Sequence, residues 1–392
     1  VVAFVFAEKI TLAYCKYNKT MPRFVVMLGV LSLLNVYARA EKPDSSNIRN
    51  TRSYEIEYYW GHLQYHHPEM AVLKQNQARA AKVLYIFSSD GSKLWHKVYR
   101  YPQVGLSYML MDLGYRDVLG YSHTLSPFIS IPAIKQTNGF SSDIYVGAGI
   151  GFMRKVYHPF NNELNTAIST HFNVYIDLGL TLSYRLSQNL RLKGGAHLVH
   201  FSNGSAKKPN YGLNYTLLSI GAVYGNINVP RCSANHYRFS TEQSRILIAF
   251  AGSRKEAMGY NGPKFGVATG SVEYSHPIWS PLFRIGASLD FMYDDSHSQI
   301  LKENGIAFGS NWETAKLGTA LNAELILDRL SLVLHFGGYY YNLSSDIKNQ
   351  WVYQRVGLRY RLTNRFWAHM ALKTHWNIAD YIEFGIAVNV VP

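Results

Sequence analysis

The residues best suited to chemistry lie in the segment NLRLKGGAHLVHFSNGSAKKPNYGLNYTLLSIGAVY, 189–224. A serine hydroxyl is a poor nucleophile until a base takes its proton. His200 and Ser202 stand two residues apart. On a strand that spacing puts both side chains on one face, with Cα atoms about 6.5 Å apart, so an imidazole can lean to the hydroxyl. Asn214 follows after a turn-rich loop. Its amide carbonyl is a suitable acceptor for the second ring N–H of His200, fixing the tautomer without adding a negative charge. Asn203-Gly204 and Pro209-Asn210-Tyr211-Gly212 supply turns and exposed backbone N–H groups of the kind that make an oxyanion hole. A bare His-x-Ser is common by chance. His-x-Ser-Asn-Gly before Pro-Asn-x-Gly-x-Asn is far more specific. The bland alternative is a polar rim on which His200 and Ser202 bond loops or headgroups.

Strands must position these groups. From Phe172 to Tyr184 one parity reads Phe, Val, Ile, Leu, Leu, Leu, Tyr and the other Asn, Tyr, Asp, Gly, Thr, Ser. Such alternation marks a strand with one apolar face, and its length suits a tilted membrane strand. In the next strand Leu192, Ala196, Leu198, His200 and Ser202 share the apolar parity, while Arg191, Lys193 and His197 take the other. Asn214 shares the apolar parity of the strand after it, with Thr216, Leu218, Ile220 and Ala222. Three polar residues on apolar parities are therefore expected to meet across one hairpin. Sixteen candidate strands follow from the same pattern: 54–65, 81–88, 103–113, 121–131, 143–153, 171–185, 189–202, 214–224, 243–253, 264–275, 282–294, 315–327, 330–342, 350–362, 365–376 and 380–391.

Composition points the same way. The 392 residues include 30 Tyr, 19 Phe and 7 Trp, with only 16% charged. Soluble domains are about a quarter charged. Mean hydropathy is −0.11, and after residue 40 no run approaches the roughly 20 apolar residues of a spanning helix. A transmembrane β-barrel satisfies both facts, because lipid-facing and interior residues alternate and aromatic girdles flank the membrane. The fold expected is all-β: an antiparallel up-and-down barrel of 12–16 strands over 41–392. Net charge is +14, with no basic run longer than Lys207-Lys208 nearby, which suits an anionic membrane surface better than nucleic acid.

Residues 21–40 (MPRFVVMLGVLSLLNVYARA) have the basic start, short apolar core and Ala-x-Ala end of a cleaved signal peptide. Residues 1–20 precede it and read as a spurious upstream extension. Of the two cysteines, Cys15 and Cys232, cleavage leaves one. His66, His67 and Glu69 read as a loop. Asp294-Asp295 with Ser296 and His297 reads as a solvated extracellular loop rather than a Ca²⁺ site at a strand end. His375 and Asp380 flank a turn, and Glu383 has interior parity. No cofactor or metal motif is expected.

HFSNGSAKKPNYGLN resembles the signature of the outer-membrane lipid A 3-O-deacylase family, more closely its longer acyloxyacyl hydrolase-like members of Bacteroidetes type. The core of the resemblance spans about 143–224; weaker likeness covers Leu94–Leu110, Asn162–Ile176 and Leu372–Ile386. It implies an eight-stranded barrel in the bacterial outer membrane that hydrolyses an ester-linked acyl chain of lipid A, so the expected partner is lipopolysaccharide. It makes His200 the base and Ser202 the nucleophile, with Asn203, Gly204 and Asn210 at the oxyanion hole. The best-known members carry Glu where Asn214 stands. The Ser-His-Asn set also looks like outer-membrane phospholipase A. A phospholipase and a non-catalytic porin are the alternatives. The second half of the chain exceeds an eight-stranded barrel, so the wall is wider or a second β unit follows, with 225–241 as the seam.

Overall fold

The computed structural model describes residues 41–43, 52–225, 232–234, 243–257, 259–343, 350–376 and 378–390. The export signal expected at 21–40 and the segment before it lie outside them. The short strands β1 (Glu41–Pro43) and β10 (Cys232–Ala234) pair with each other.

Each of the sixteen expected strands is present. The first eight are β2 (Arg52–Leu63), β3 (Ala78–Ser88), β4 (Gln103–Asp112), β5 (Tyr121–Thr137), β6 (Phe140–Met153), β7 (Phe172–Arg185), β8 (Leu190–Ser202) and β9 (Leu213–Gly225). The rest are β11 (Arg245–Glu256), β12 (Lys264–Ile278), β13 (Ser280–Asp294), β14 (Lys316–Leu327), β15 (Leu330–Tyr341), β16 (Val352–Arg361), β17 (Phe366–His375) and β18 (Ile378–Asn389). They close as two antiparallel walls of eight rather than one wider ring. β9 returns to β2, with Tyr58 opposite Ile220, and β18 returns to β11, with Phe250 opposite Ile386. Among the described residues no helix is long and apolar enough to cross a membrane.

Alternation sorts each strand into two faces. On β8 Leu192, Ala196 and Leu198 are exposed on the outer wall, while Arg191, Lys193, His197 and Val199 are buried inside. Outward Leu180 on β7 and Ile220 on β9 are 50% and 60% exposed, an apolar surface fit for lipid.

The first barrel's interior is packed. Tyr59, Met109, Tyr175, Val199, Phe201, Leu213, Tyr215 and Leu217 form one buried cluster. Beside it runs a paired charge layer: Lys82 bonds Asp177 at 2.7 Å, His197 bonds the other Asp177 oxygen at 2.9 Å, and Lys193 meets Glu55 at 2.8 Å. Buried charges are tolerable only when paired in this way. The second barrel repeats the device, with Arg359–Glu273 at 2.6 Å and Lys373–Asp380 at 2.8 Å.

Candidate active site

β8 delivers His200 and Ser202 to its last turnward residues, both on the outward parity. The β8–β9 ladder sets His200 directly opposite Asn214. Directly opposed outward side chains on neighbouring strands lie close enough to bond. The Ser202 hydroxyl stands 2.9 Å from His200 Nε2, and His200 Nδ1 stands 2.7 Å from Asn214 Oδ1. Because an amide oxygen only accepts, Nδ1 carries the hydrogen, and Nε2 presents its lone pair to the serine proton. The Asn214 amide donates onward to His66 Nδ1 at 3.2 Å, which holds the amide in the needed orientation.

His66 belongs to the loop that continues β2, where the Gln64 N–H also donates to the Asn214 carbonyl at 2.7 Å. His67 stacks on Tyr211, with ring centroids 4.4 Å apart. A lone histidine pair in an aperiodic loop gave no sequence signal for this role. The adjacency of β2 and β9, which puts it there, is a closure contact.

After Ser202 the chain turns. Ala206 N–H donates to the Asn203 carbonyl at 3.2 Å, across Gly204 (φ 60°) and Ser205 (φ 64°). Two left-handed central residues make a primed turn, which favours glycine. A Cβ on Gly204 would also collide with the Ile382 side chain. Asn203 is scaffolding: its Nδ2 donates to the Lys207 carbonyl (2.9 Å) and to Ser169 Oγ (3.2 Å). Its backbone N–H is taken by Asn210 Oδ1 at 3.1 Å. That leaves Asn210 Nδ2, a buried donor with no hydrogen-bond partner among the described residues. Left-handed Gly212 (φ 75°) brings the loop back, its N–H bonded to the Ala167 carbonyl at 2.9 Å.

Ser202 is 2% exposed and Ser205 3%. The outer face is half-buried here at Val174, Ile176 and His200, whereas Leu178 and Leu198 farther along it are exposed. The second barrel comes close at this end. Lys207 Nζ lies 4.9 Å from the Tyr260 ring centroid, and Tyr157 meets Tyr260 edge-on. Burial, reinforced by the nearby Lys255 ammonium, pushes the Lys208 amine below its ordinary range.

Other weighed residues fall elsewhere. Glu383 lies inside the second barrel between Arg355 (3.3 Å) and His369 (3.4 Å), away from this site. His375 and Asp380 join Lys373 in that barrel's interior. Asp294 bonds Lys255 and the Ser296 N–H. Among the described residues, no group of three or more His, Cys, Asp or Glu side chains is arranged to hold a metal.

A hydroxyl bonded to a neutral imidazole nitrogen, with an amide behind the ring and a buried unpartnered amide donor, Asn210 Nδ2, on the loop that follows, is equipped for acyl transfer. The model of "Lipid A 3-O-deacylase (PagL)" matches residues 44–222, and that of "Acyloxyacyl hydrolase, C-terminal domain" matches 244–390. No curated protein matches. Among solved structures, the outer membrane protein Omp33 of Acinetobacter baumannii is 10% identical, with 87% of this chain and 98% of that one covered at a TM-score of 0.17. The β domain of the Bordetella autotransporter BrkA is 8% identical, over 87% and 99%, at 0.23. The fold itself is fixed by the strand ladders of the two barrels. With the two family models taking in the strands of both barrels, this chain belongs to the lipid A 3-O-deacylase family of outer-membrane enzymes.

Proposed function

We propose that the chain is a serine esterase that releases an ester-linked acyl chain from lipid A, with Ser202, His200 and Asn214 as its triad. The observation that carries the reading is the unbroken run from Ser202 Oγ through His200 to Asn214, at 2.9 and 2.7 Å. Ser202 Oγ attacks the ester carbonyl carbon while His200 Nε2 takes its proton. The carbonyl oxygen becomes an oxyanion, to which we assign as donors the Gly204 N–H, on the turn directly after Ser202, and the unpartnered Asn210 Nδ2. The imidazolium then protonates the departing sugar oxygen, leaving an acyl-serine. Water, deprotonated by the same imidazole, attacks that ester, and the fatty acid leaves as Ser202 regains its proton. Asn214 holds the ring and its tautomer throughout. The outward parity of the triad supports delivery of substrate from the membrane, and the packed first-barrel interior disfavours a solute channel through it.

Mass spectrometry of lipid A from cells expressing the wild type beside Ser202→Ala tests the reading. The wild type is expected to shed a fatty acyl group, and Ser202→Ala to leave lipid A intact. Equal deacylation by both would end it. The neutral third member also fits a phospholipase, so the same extracts are searched for lysophospholipid, whose appearance with intact lipid A would reassign the substrate.

A further inference from the structure

The turn after Ser202 is held from outside its own barrel. The Ser205 carbonyl accepts the Glu256 N–H at 3.0 Å, and the Ser205 hydroxyl donates to the Ala379 carbonyl at 2.9 Å. Ile382 fills the place beside Gly204 where a Cβ would stand. Glu256 is the last residue of β11; Ala379 and Ile382 lie near the start of β18. These two strands are the seam that closes the second barrel. Their paired register runs from Leu247–Asn389 to Gly252–Phe384 and goes no further. Beyond it Ser253 Oγ reaches the Ile382 carbonyl at 2.6 Å, and Glu256 and Ala379 turn to Ser205. The first barrel's turn therefore occupies the mouth of the second barrel's seam.

That arrangement has a mechanical consequence. A left-handed backbone is disfavoured for any residue with a Cβ, and Ser205 is in one. The turn's shape depends on bonds that fasten it, and two of them come from β11 and β18. The Gly204 N–H is carried on this turn, and an oxyanion donor displaced by about 1 Å costs on the order of 10²-fold in rate.

We propose that the seam of the second barrel is a positioning device for the oxyanion turn, with Ser205 and Ile382 as positioning residues. This rests on the serine-esterase reading. The C-terminal barrel is then part of the catalytic unit, acting through the turn that it holds.

The test uses the full-length protein in mixed micelles with lipopolysaccharide, as Ser205→Ala, Ile382→Ala and the double variant. Heat-modifiable migration on gels confirms that each is folded. In the single variants kcat for acyl release is expected to fall about tenfold while KM stays within about twofold, because the lost support acts on the transition state. Labelling of Ser202 by a fluorophosphonate, whose phosphoryl oxygen occupies the same hole, is expected to slow by the same factor. A merely structural role would leave labelling unchanged in the folded fraction. Should the double variant not fold, Ser205→Ala alone decides. Unaltered kcat and labelling, or a rise in KM alone, overturns the proposal. Failure of the esterase reading looks different: Ser202→Ala would then keep wild-type acyl release, and the turn would lose its assigned function too.

Discussion

At the scale of single residues the site is defined by what each polar atom already bonds. Asn203 and Asn210 look equivalent in sequence, both in turns beside the serine. Asn203 Nδ2 is spent on the Lys207 carbonyl and Ser169, whereas Asn210 Nδ2 is buried with no partner among the described residues. Asn210→Ala is therefore expected to lower kcat by about 10²-fold with KM nearly unchanged, the signature of a lost oxyanion donor. Asn203→Ala is expected to lower both thermal stability and kcat, because it releases the loop. A steady-state comparison of kcat and KM separates them. Asn214→Ala should cost about 10–100-fold, since the imidazole loses its orienting partner but keeps its basicity. That His200, Ser202 and Asn214 meet on one face of one hairpin was legible, because parity alone fixes which face a strand residue takes. His66, Ser169 and Ser205 were not. Their roles depend on loops meeting across distant elements, and no local period encodes that.

At the scale of elements, the strand is a sorting device, and opposite substitutions should fail for opposite reasons. Leu180 lies mid-strand on β7, outward and 50% exposed. Leu180→Arg puts a guanidinium into hydrocarbon and is expected to cost about 2–4 kcal/mol. Asp177, three residues earlier and inward, is fully buried against Lys82 and His197. Asp177→Asn keeps the shape but leaves the Lys82 ammonium without its counter-ion, an expected loss of about 3–5 kcal/mol. Urea unfolding of the refolded protein in lipid vesicles measures both. Equal tolerance of the two would contradict the assignment of faces. This level was largely readable from the sequence, because side chains alternate between the two faces with period two, most plainly on β7, where Val174, Leu178 and Leu180 face out and Asn173, Asp177 and Thr181 face in. Interior partners such as Lys82 for Asp177 were not readable, being 95 residues apart.

At the scale of the whole molecule, period and turn residues mark strands and hairpins, but the place where a wall closes is signalled only by the family resemblance, which implies eight strands, with 225–241 as the seam. Each hairpin is encoded by its turn, whereas β9 to β2 and β18 to β11 are pairings between the ends of long segments. The choice between one ring of sixteen and two of eight rests on those two contacts alone. Two separate rings then need something to hold them together, and the chain provides it at both ends. Beside Ser202 the fastening is Ser205 on Glu256 and Ala379. At the opposite end a short helix (Leu94–Val98) and the turn after it reach the second barrel. There Tyr99 donates its hydroxyl to the Leu282 carbonyl (3.0 Å) and the Ile326 carbonyl (3.1 Å). The nearby Lys93–Asp328 pair is 55% and 40% exposed, so solvent screens it and its share is well below about 1 kcal/mol. Tyr99 sits in a half-buried contact whose acceptors are backbone groups, and removing its hydroxyl should cost about 1–2 kcal/mol. The consequence can be read after inserting a protease site between Gly225 and Arg245 and cutting the folded, tagged protein. The two halves are expected to stay together on the affinity resin and to part as urea rises. Tyr99→Phe should shift that separation to distinctly lower urea, and Lys93→Ala should shift it little. If Lys93→Ala is the larger effect, the fastening at this end is electrostatic, and separation would then also depend steeply on salt.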